Sequence, residues 1–282
     1  MIFWIASYPK SGNTWLRTLI SAYYYSKDGF FNESLIKNIG QFPEKKHFQG
    51  FDYMPKLVID TTRFWIRAQE RINKDKKLRF FKTHNVFGSI NNRKFTNKEN
   101  SIGCIYIVRD PRNVITSLRN HYELDYAKAL DWMLNNKKYI YDYEKEEEFS
   151  DFQFISSWEN NFLSWKNQSD FPIKIIKYED LLNKTYSTFE DLIKFVNNIL
   201  KINQEVNEKK LNNSINSTSF EELKKYEKNY GFSEAVSSKN DLKTIPFFYL
   251  GPDNNWRKIL DDDFQKKLNL IFERSLKFFS YI

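Results

Sequence analysis

The sequence predicts an α/β fold, with a central parallel sheet flanked by helices on both faces and a P-loop-like strand–loop–helix phosphate site near its start. Two observations carry that prediction. Short apolar runs alternate with stretches whose apolar residues recur at helical spacing, the pattern of a parallel sheet built from strand–helix units. No Pro/Gly/Ser-rich linker and no internal repeat divides the 282 residues, so one domain over 1–282 is expected. With 41% hydrophobic and 18% aromatic residues, the chain can fill one sizeable core that leans on Phe and Tyr.

The first apolar run, residues 2–6, ends at turn residues and predicts a buried strand. From Thr14 onward Trp15, Leu16, Leu19, Ile20 and Tyr23 fall at helical spacing. Residues 78–82, 105–108 and 173–177 predict three further core strands, the last following Pro172. Ile155, Trp158, Phe162 and Trp165 share one helical face. Residues 187–200 open with Ser187-Thr188-Phe189-Glu190, a capping-box pattern, and present Phe189, Leu192, Ile193, Val196 and Leu200. A last helix is expected from Asp261 or Asp262 to Phe279, with acids in its first turn complementing the dipole. Residues 26–77 and 205–250 show little periodicity and read as long excursions that wall a pocket. In such sheets ligands sit beyond the carboxyl ends of the strands.

A net charge of +8 attracts anions in general, but it is dispersed, which fits a lysine-rich surface better than a nucleic-acid face. The acidic run 144–148 reads as a solvated face. Cys104, the one cysteine, lies in an apolar run and reads as a buried small hydrophobe. An intrachain disulfide is impossible, which suits a reducing cytoplasm. No apolar stretch approaches the ~20 residues needed to span a bilayer. No basic leader with an apolar core precedes the first strand, so no signal peptide is expected.

Three strand ends carry candidate chemistry. After the first strand comes Ser7-Tyr8-Pro9-Lys10-Ser11-Gly12-Asn13-Thr14-Trp15. A compact loop entering a helix is an anion site, because the first amides of the helix lack internal partners and the dipole is positive there. Gly12 lets the backbone approach a ligand, Ser11, Asn13 and Thr14 bring short polar groups, and Lys10 brings a full charge. It is not a Walker A loop, since the lysine precedes the glycine. At the second strand end Arg109 opens Arg109-Asp110-Pro111-Arg112, with Ser117 two turns into the following helix; the arginine fork suits phosphate oxygens. At the third stands Lys82-Thr83-His84, where the imidazole is placed to take a proton near neutral pH. From these residues alone a P-loop-like nucleotide kinase and a non-catalytic nucleotide-binding protein remain open.

Taken together, these segments resemble the cytosolic-type sulfotransferases that use 3'-phosphoadenosine-5'-phosphosulfate (PAPS). Residues 8–15 are similar to the family's 5'-phosphosulfate loop, with Asn13 where threonine is common. The stretch from Arg109 to Ser117 resembles its 3'-phosphate segment, and Lys82-Thr83-His84 the segment with the catalytic histidine. Lys177-Tyr178-Glu179-Asp180-Leu181 and Thr218-Ser219-Phe220 resemble its tyrosine-bearing strand end and adenine-side segment. The resemblance implies sulfuryl transfer to a hydroxyl or amine of a small-molecule acceptor, with no metal, nucleic-acid or membrane partner. It implies His84 as general base, Lys10 at the leaving phosphate and Lys82 at the sulfuryl oxygens. It further implies Ser11, Gly12, Asn13 and Thr14 around the 5'-phosphate, Arg109 and Ser117 at the 3'-phosphate, and Trp15, Tyr178, Thr218 and Phe220 about the adenine. The sequence departs from the family where Arg-Lys-Gly is usual: Tyr249-Leu250-Gly251 stands there, before Pro252-Asp253-Asn254-Asn255-Trp256. Gly251 is kept, and Arg257, Lys258 or Arg112 are candidates for the missing charge.

Overall fold

The computed structural model of the protein describes residues 1–52, 54, 56–141, 148–238 and 244–282; the acidic residues 144–147 lie outside them. Four strands form the central sheet: β1 (Ile2–Ser7), β2 (Arg79–Thr83), β3 (Ser101–Val108) and β4 (Ile173–Lys177). Their order is β2-β1-β3-β4 and every pairing is parallel. Every residue of β1 is buried, as expected when crossover helices cover both faces. β3 starts four residues earlier than its apolar run suggests, at Ser101, whose hydroxyl accepts a 2.8 Å hydrogen bond from the Trp4 indole.

Strand alternation divides the core in two. Ile2, Trp4 and Ala6 join Cys104, Tyr106 and Val108 on one face, while Phe3 and Ile5 join Ile105 and Ile107 on the other. The helices that matter below are, in chain order, α1 (Asn13–Tyr25), α2 (Pro111–Tyr122), α3 (Tyr126–Leu134), α4 (Trp158–Lys166), α5 (Thr185–Leu200), α6 (Asp262–Ile271) and α7 (Glu273–Phe278). α1 and α5 cover the second face with Leu16, Leu19, Ile20, Phe189, Leu192, Ile193 and Val196. The others cover the first, with Val114, Leu130, Trp158, Trp165, Leu268 and Leu276. β1 therefore sends its helix to one side and β3 to the other. The crevice between their carboxyl ends is the topological switch point of the sheet.

Three local expectations are corrected. α5 begins at Thr185, so Ser187 lies inside the helix and its hydroxyl donates to the Lys184 carbonyl at 3.3 Å instead of capping. The last helix is broken at Phe272 into α6 and α7, with Asp261 capping α6 through the Phe264 amide. The excursions contain helices of their own: Trp65–Ile72, Glu208–Ser217 and Phe220–Tyr230.

The ladder register aligns the strand ends. Ala6 pairs with Thr83, Ser7 with Ile107 and Val108 with Lys177. The residues that follow, Tyr8 to Gly12, His84, Arg109 and Tyr178, therefore emerge along one edge. Cys104 is fully buried in the middle of β3, and burial pushes its thiol pKa well up. Gly103 beside it has no room for a side chain, since a Cβ there would lie 2.8 Å from the Phe3 ring and 2.9 Å from Ile199 Cδ1. Gly103→Ala should cost about 1–3 kcal/mol through overpacking between β1 and α5. A thermal melt checks this; an unchanged Tm would mean that α5 is free to shift outward.

Candidate active site

The turn after β1 is tight because two of its residues take left-handed backbone: Lys10 at φ 64° and Gly12 at φ 97°. Gly12 has a second constraint, since a Cβ would lie 2.5 Å from the Tyr178 ring. α1 starts at Asn13 with no side-chain cap, so its first-turn amides lack intrahelical partners and face the positive end of the dipole. The Asn13 carboxamide itself turns back, donating to the Ile5 carbonyl (3.0 Å) and Ser7 Oγ (3.2 Å). It pins the helix to the strand through its NH2 group. Among the described residues Ser11 Oγ is buried without a hydrogen-bond partner.

His84 is held from three sides. Its amide donates to Gln153 Oε1 at 2.6 Å, and its carbonyl accepts from Asn161 Nδ2 at 2.9 Å. Asn161 is itself fixed by the Tyr106 hydroxyl at 2.7 Å. The ring Nδ1 lies 2.7 Å from the Ser7 carbonyl, which can only accept. Nδ1 therefore carries the proton, and Nε2 keeps its lone pair. Nε2 has no hydrogen-bond partner among the described residues, and His84 lines the cleft. Burial, with the Lys82 charge added, lowers its pKa to about 3. The imidazole is neutral throughout the physiological range.

The cations converge beside it. Burial lowers the Lys10 ammonium to about 7, and its Nζ sits 4.3 Å from the Phe247 ring centroid. Burial also lowers Lys82, whose Nζ is 3.4 Å from Glu234 Oε1. Arg17, one turn along α1 from Thr14, is buried and donates to the Ile39 carbonyl and to Glu234. Thr14 Oγ1 donates to the other oxygen of the same carboxylate. Burial alone would raise the Glu234 carboxyl. The charges of Lys82 and Arg17 and the hydrogen bonds from Thr14 and Arg17 outweigh it and hold the group well below the usual carboxylate range.

Across the switch point, Arg109 Nη1 reaches both the Lys10 carbonyl and Ser117 Oγ at 3.4 Å, and its guanidinium lies 4.1 Å over the Tyr178 ring. Its buried Nε has no partner among the described residues, so the fork has capacity for a further acceptor. Asn254 Nδ2 donates to Ser117 Oγ at 3.0 Å and orients it. Trp15 meets Tyr178 edge-on at 5.7 Å and donates from its indole to the Thr218 carbonyl at 2.9 Å. Gly251 (φ 52°) lies against Phe220, where a Cβ would come within 2.2 Å of the ring.

These groups gather at one cleft of about 1640 Å³. Of the residues singled out from the sequence, Lys10, Gly12, Asn13, Thr14, Trp15, Lys82, His84, Arg109, Ser117, Tyr178, Phe220 and Gly251 border it. Ser11 and Thr218 lie buried behind that wall, the Thr218 hydroxyl donating to the Ser214 carbonyl. Arg257 is exposed, stacked at 4.3 Å on Trp256 and outside the cleft. Arg112 is committed elsewhere: it is buried, paired with Asp110 at 2.7 Å and bonded to Asn269 at 2.7 Å. Neither arginine lines the cleft in this arrangement, where Tyr249 and Leu250 do. Sequence reasoning missed Ser7, Arg17, Gln153, Asn161, Glu234 and Asn254. Arg17 had a signal, since it lies three residues after Thr14 on the same helical face.

The family model described as "Sulfotransferase domain" matches residues 2–280. Luciferin sulfotransferase of Photinus pyralis is 22% identical over 288 positions, covering 99% of this chain and 72% of that protein. A flavonol sulfotransferase-like protein of Flaveria bidentis is 26% identical over 282 positions, covering 96% and 80%. Among solved structures, retinol dehydratase in complex with retinol and PAP superposes with a TM-score of 0.55 at 15% identity, covering 98% and 81%. Mouse sulfotransferase SULT7A1 complexed with PAP gives 0.51 at 19%, covering 98% and 83%. With its parallel sheet, its glycine-bearing loop ahead of α1 and a family match over almost its whole length, the chain belongs to the family of PAPS-dependent sulfotransferases.

Proposed function

We propose that this protein moves a sulfuryl group from PAPS to a hydroxyl or amine of a small-molecule acceptor by in-line transfer, with His84 as general base. The observation that carries the reading is His84, fixed through Nδ1 and with Nε2 unpartnered among the described residues, lining the cleft together with Lys10, Lys82 and the start of α1. PAPS supplies the sulfuryl group on a phosphate leaving group.

Each part of the wall has a role in that reaction. The α1 amides, Ser11 and Thr14 cradle the 5'-phosphate, and Gly12 keeps the loop close to it. Arg109 and Ser117 hold the 3'-phosphate, the arginine with donors still free for it. Trp15, Tyr178 and Phe220 flank the adenine, with Thr218 and Gly251 fixing two of those rings. Arg257 enters this set only if its side chain leaves Trp256. Lys10 neutralises the charge that grows on the departing phosphate, and Lys82 steadies the sulfuryl oxygens. His84 takes the acceptor's proton at Nε2. A pKa near 3 makes it a weak base before anything binds, but a multiply charged anion beside it raises its proton affinity. Retinol and androsterone occupy neighbours of this fold, which supports a compact acceptor with an apolar body. The reading takes 1–282 as one catalytic domain and places it in the cytoplasm, consistent with its lone buried thiol. Among the described residues no helix is long and apolar enough to cross a membrane.

Three outcomes are expected. His84→Ala should bind 3'-phosphoadenosine 5'-phosphate (PAP) within a few-fold of wild type yet lose ~10²–10⁴ in kcat. Labelled sulfate from PAPS and a panel of phenols, alcohols and amines measures this; unreduced turnover would remove His84 from the mechanism. In the free protein the His84 imidazole signal should not titrate between pH 5 and 8, since its pKa is about 3. A midpoint near 6.5 by NMR would contradict its burial. PAP affinity should be full below pH 7 and fall as pH rises through 7 to 9, by up to about tenfold per unit. Lys10, with a pKa of about 7 in the free protein, must take up a proton to hold the anion, and calorimetry in buffers of different ionisation enthalpy reads that uptake. A pH-independent Kd would exclude Lys10 as the responsible group.

A further inference from the structure

Glu234 is a charged group of the cleft that the transfer chemistry leaves unused and that bonds directly to groups the chemistry needs. Its carboxylate is gripped by three residues on two elements: Thr14 Oγ1 and the Arg17 guanidinium on α1, and Lys82 Nζ at 3.4 Å from the end of β2. Thr14 and Lys82 are groups that the reading above gives to the donor's phosphosulfate. A carboxylate bonded to them stands where an anionic ligand's oxygens would stand.

Glu234 reaches this position from outside the sheet. It sits in a turn closed by the Ala235 amide on the Phe232 carbonyl at 3.0 Å. Phe232 anchors that turn in a small aromatic cluster with Phe247 and Phe248. Ser233 is exposed, and the side chain of Glu234 keeps 21% of its surface in solvent. The carboxylate is thus bound tightly at its tip but carried by a surface turn. Its route back to water is short.

The electrostatics explain why it is there. Lys10, Arg17 and Lys82 share a desolvated space, and like charges so placed repel strongly unless an anion sits among them. PAPS would bring its own negative charges to the same donors, and two anions in one dry cluster repel as the cations do. We propose that Glu234 is a resident surrogate anion: it holds Thr14, Arg17 and Lys82 together while the cleft is free of nucleotide, must release them for the phosphosulfate to bind, and so sets the affinity for the donor. Arg17 then becomes a donor-binding residue. This rests on the sulfotransferase reading of the cleft. It differs from a purely structural Glu234, which would stay in place and whose loss would weaken binding.

The test compares wild type, Glu234→Gln and Glu234→Ala as full chains by calorimetry at fixed ionic strength. Two probes are used: PAP, and inorganic pyrophosphate, which needs the cations but no adenosine pocket. A site blocked nine-tenths of the time binds its ligand about tenfold more weakly than an open one. Both variants should therefore bind both probes roughly tenfold more tightly than wild type. Glu234→Gln still accepts from Thr14 and carries the test if Glu234→Ala fails to fold. Unchanged or weaker binding of pyrophosphate and PAP by Glu234→Gln overturns the proposal, while wild-type PAP binding in that case keeps the nucleotide reading. Tighter pyrophosphate binding with no PAP binding by any form supports the surrogate anion and sinks the nucleotide reading instead.

Discussion

The constraint on which this structure turns is the cost of keeping several positive charges close together out of water. Lys10, Arg17, Lys82 and Arg109 all border one cleft, and burial shifts the two lysines toward their neutral forms. Desolvated like charges are tolerated only where partners compensate them. Each compensation here is visible. Arg17 and Lys82 share Glu234, Lys10 lies against the Phe247 ring, and Arg109 lies over Tyr178. The aromatic walls do two things at once, since their faces attract cations and their bulk excludes water. In the proposed reaction the same gathering of charge is what an incoming polyanion would meet.

That concentration of charge depends on the register of the sheet. Parallel pairing brings the ends of β1, β2, β3 and β4 to one edge, and the order β2-β1-β3-β4 splits the crossovers between β1 and β3. Lys10 and Arg109, 99 residues apart, meet there through the Lys10 carbonyl. The sheet alone would not fix His84, which lies beyond the last ladder pair of β2. Gln153 and Asn161 do so by taking both of its backbone groups, and the Ser7 carbonyl selects the tautomer. A one-residue slip of β2 would turn Lys82 and His84 to the opposite face together.

The parts legible in the sequence were those whose signal is local. Residues 2–25 announce strand, loop and helix in one continuous stretch, because burial on both faces, a glycine turn and helical spacing each leave a mark. Much of the cleft wall followed from its position at strand ends. Three kinds of feature escaped. The helix Glu208–Ser217 buries only Leu211 and Ser214, too sparse an apolar face to show as a period. Asn13 reads as a phosphate ligand from its place in the loop, yet its carboxamide finds closer acceptors in β1. Glu234 stands 220 residues from Thr14 in a turn with no motif, and only tertiary folding brings the two together. Ser187 failed as a cap for the opposite reason: the preceding helix Tyr178–Asn183 runs almost directly into α5, so no free N-terminus exists at that point.

Cys104 bears on how the protein can be handled. It is the chain's one thiol, it lies between Gly103 and Ile105 on the central strand β3, and solvent does not touch it. A thiol reagent can meet it only after β1, β3 and the layers over them separate. The rate of its modification therefore counts openings of the whole sheet, and gives a clock for the integrity of the core that no engineered cysteine is needed to supply.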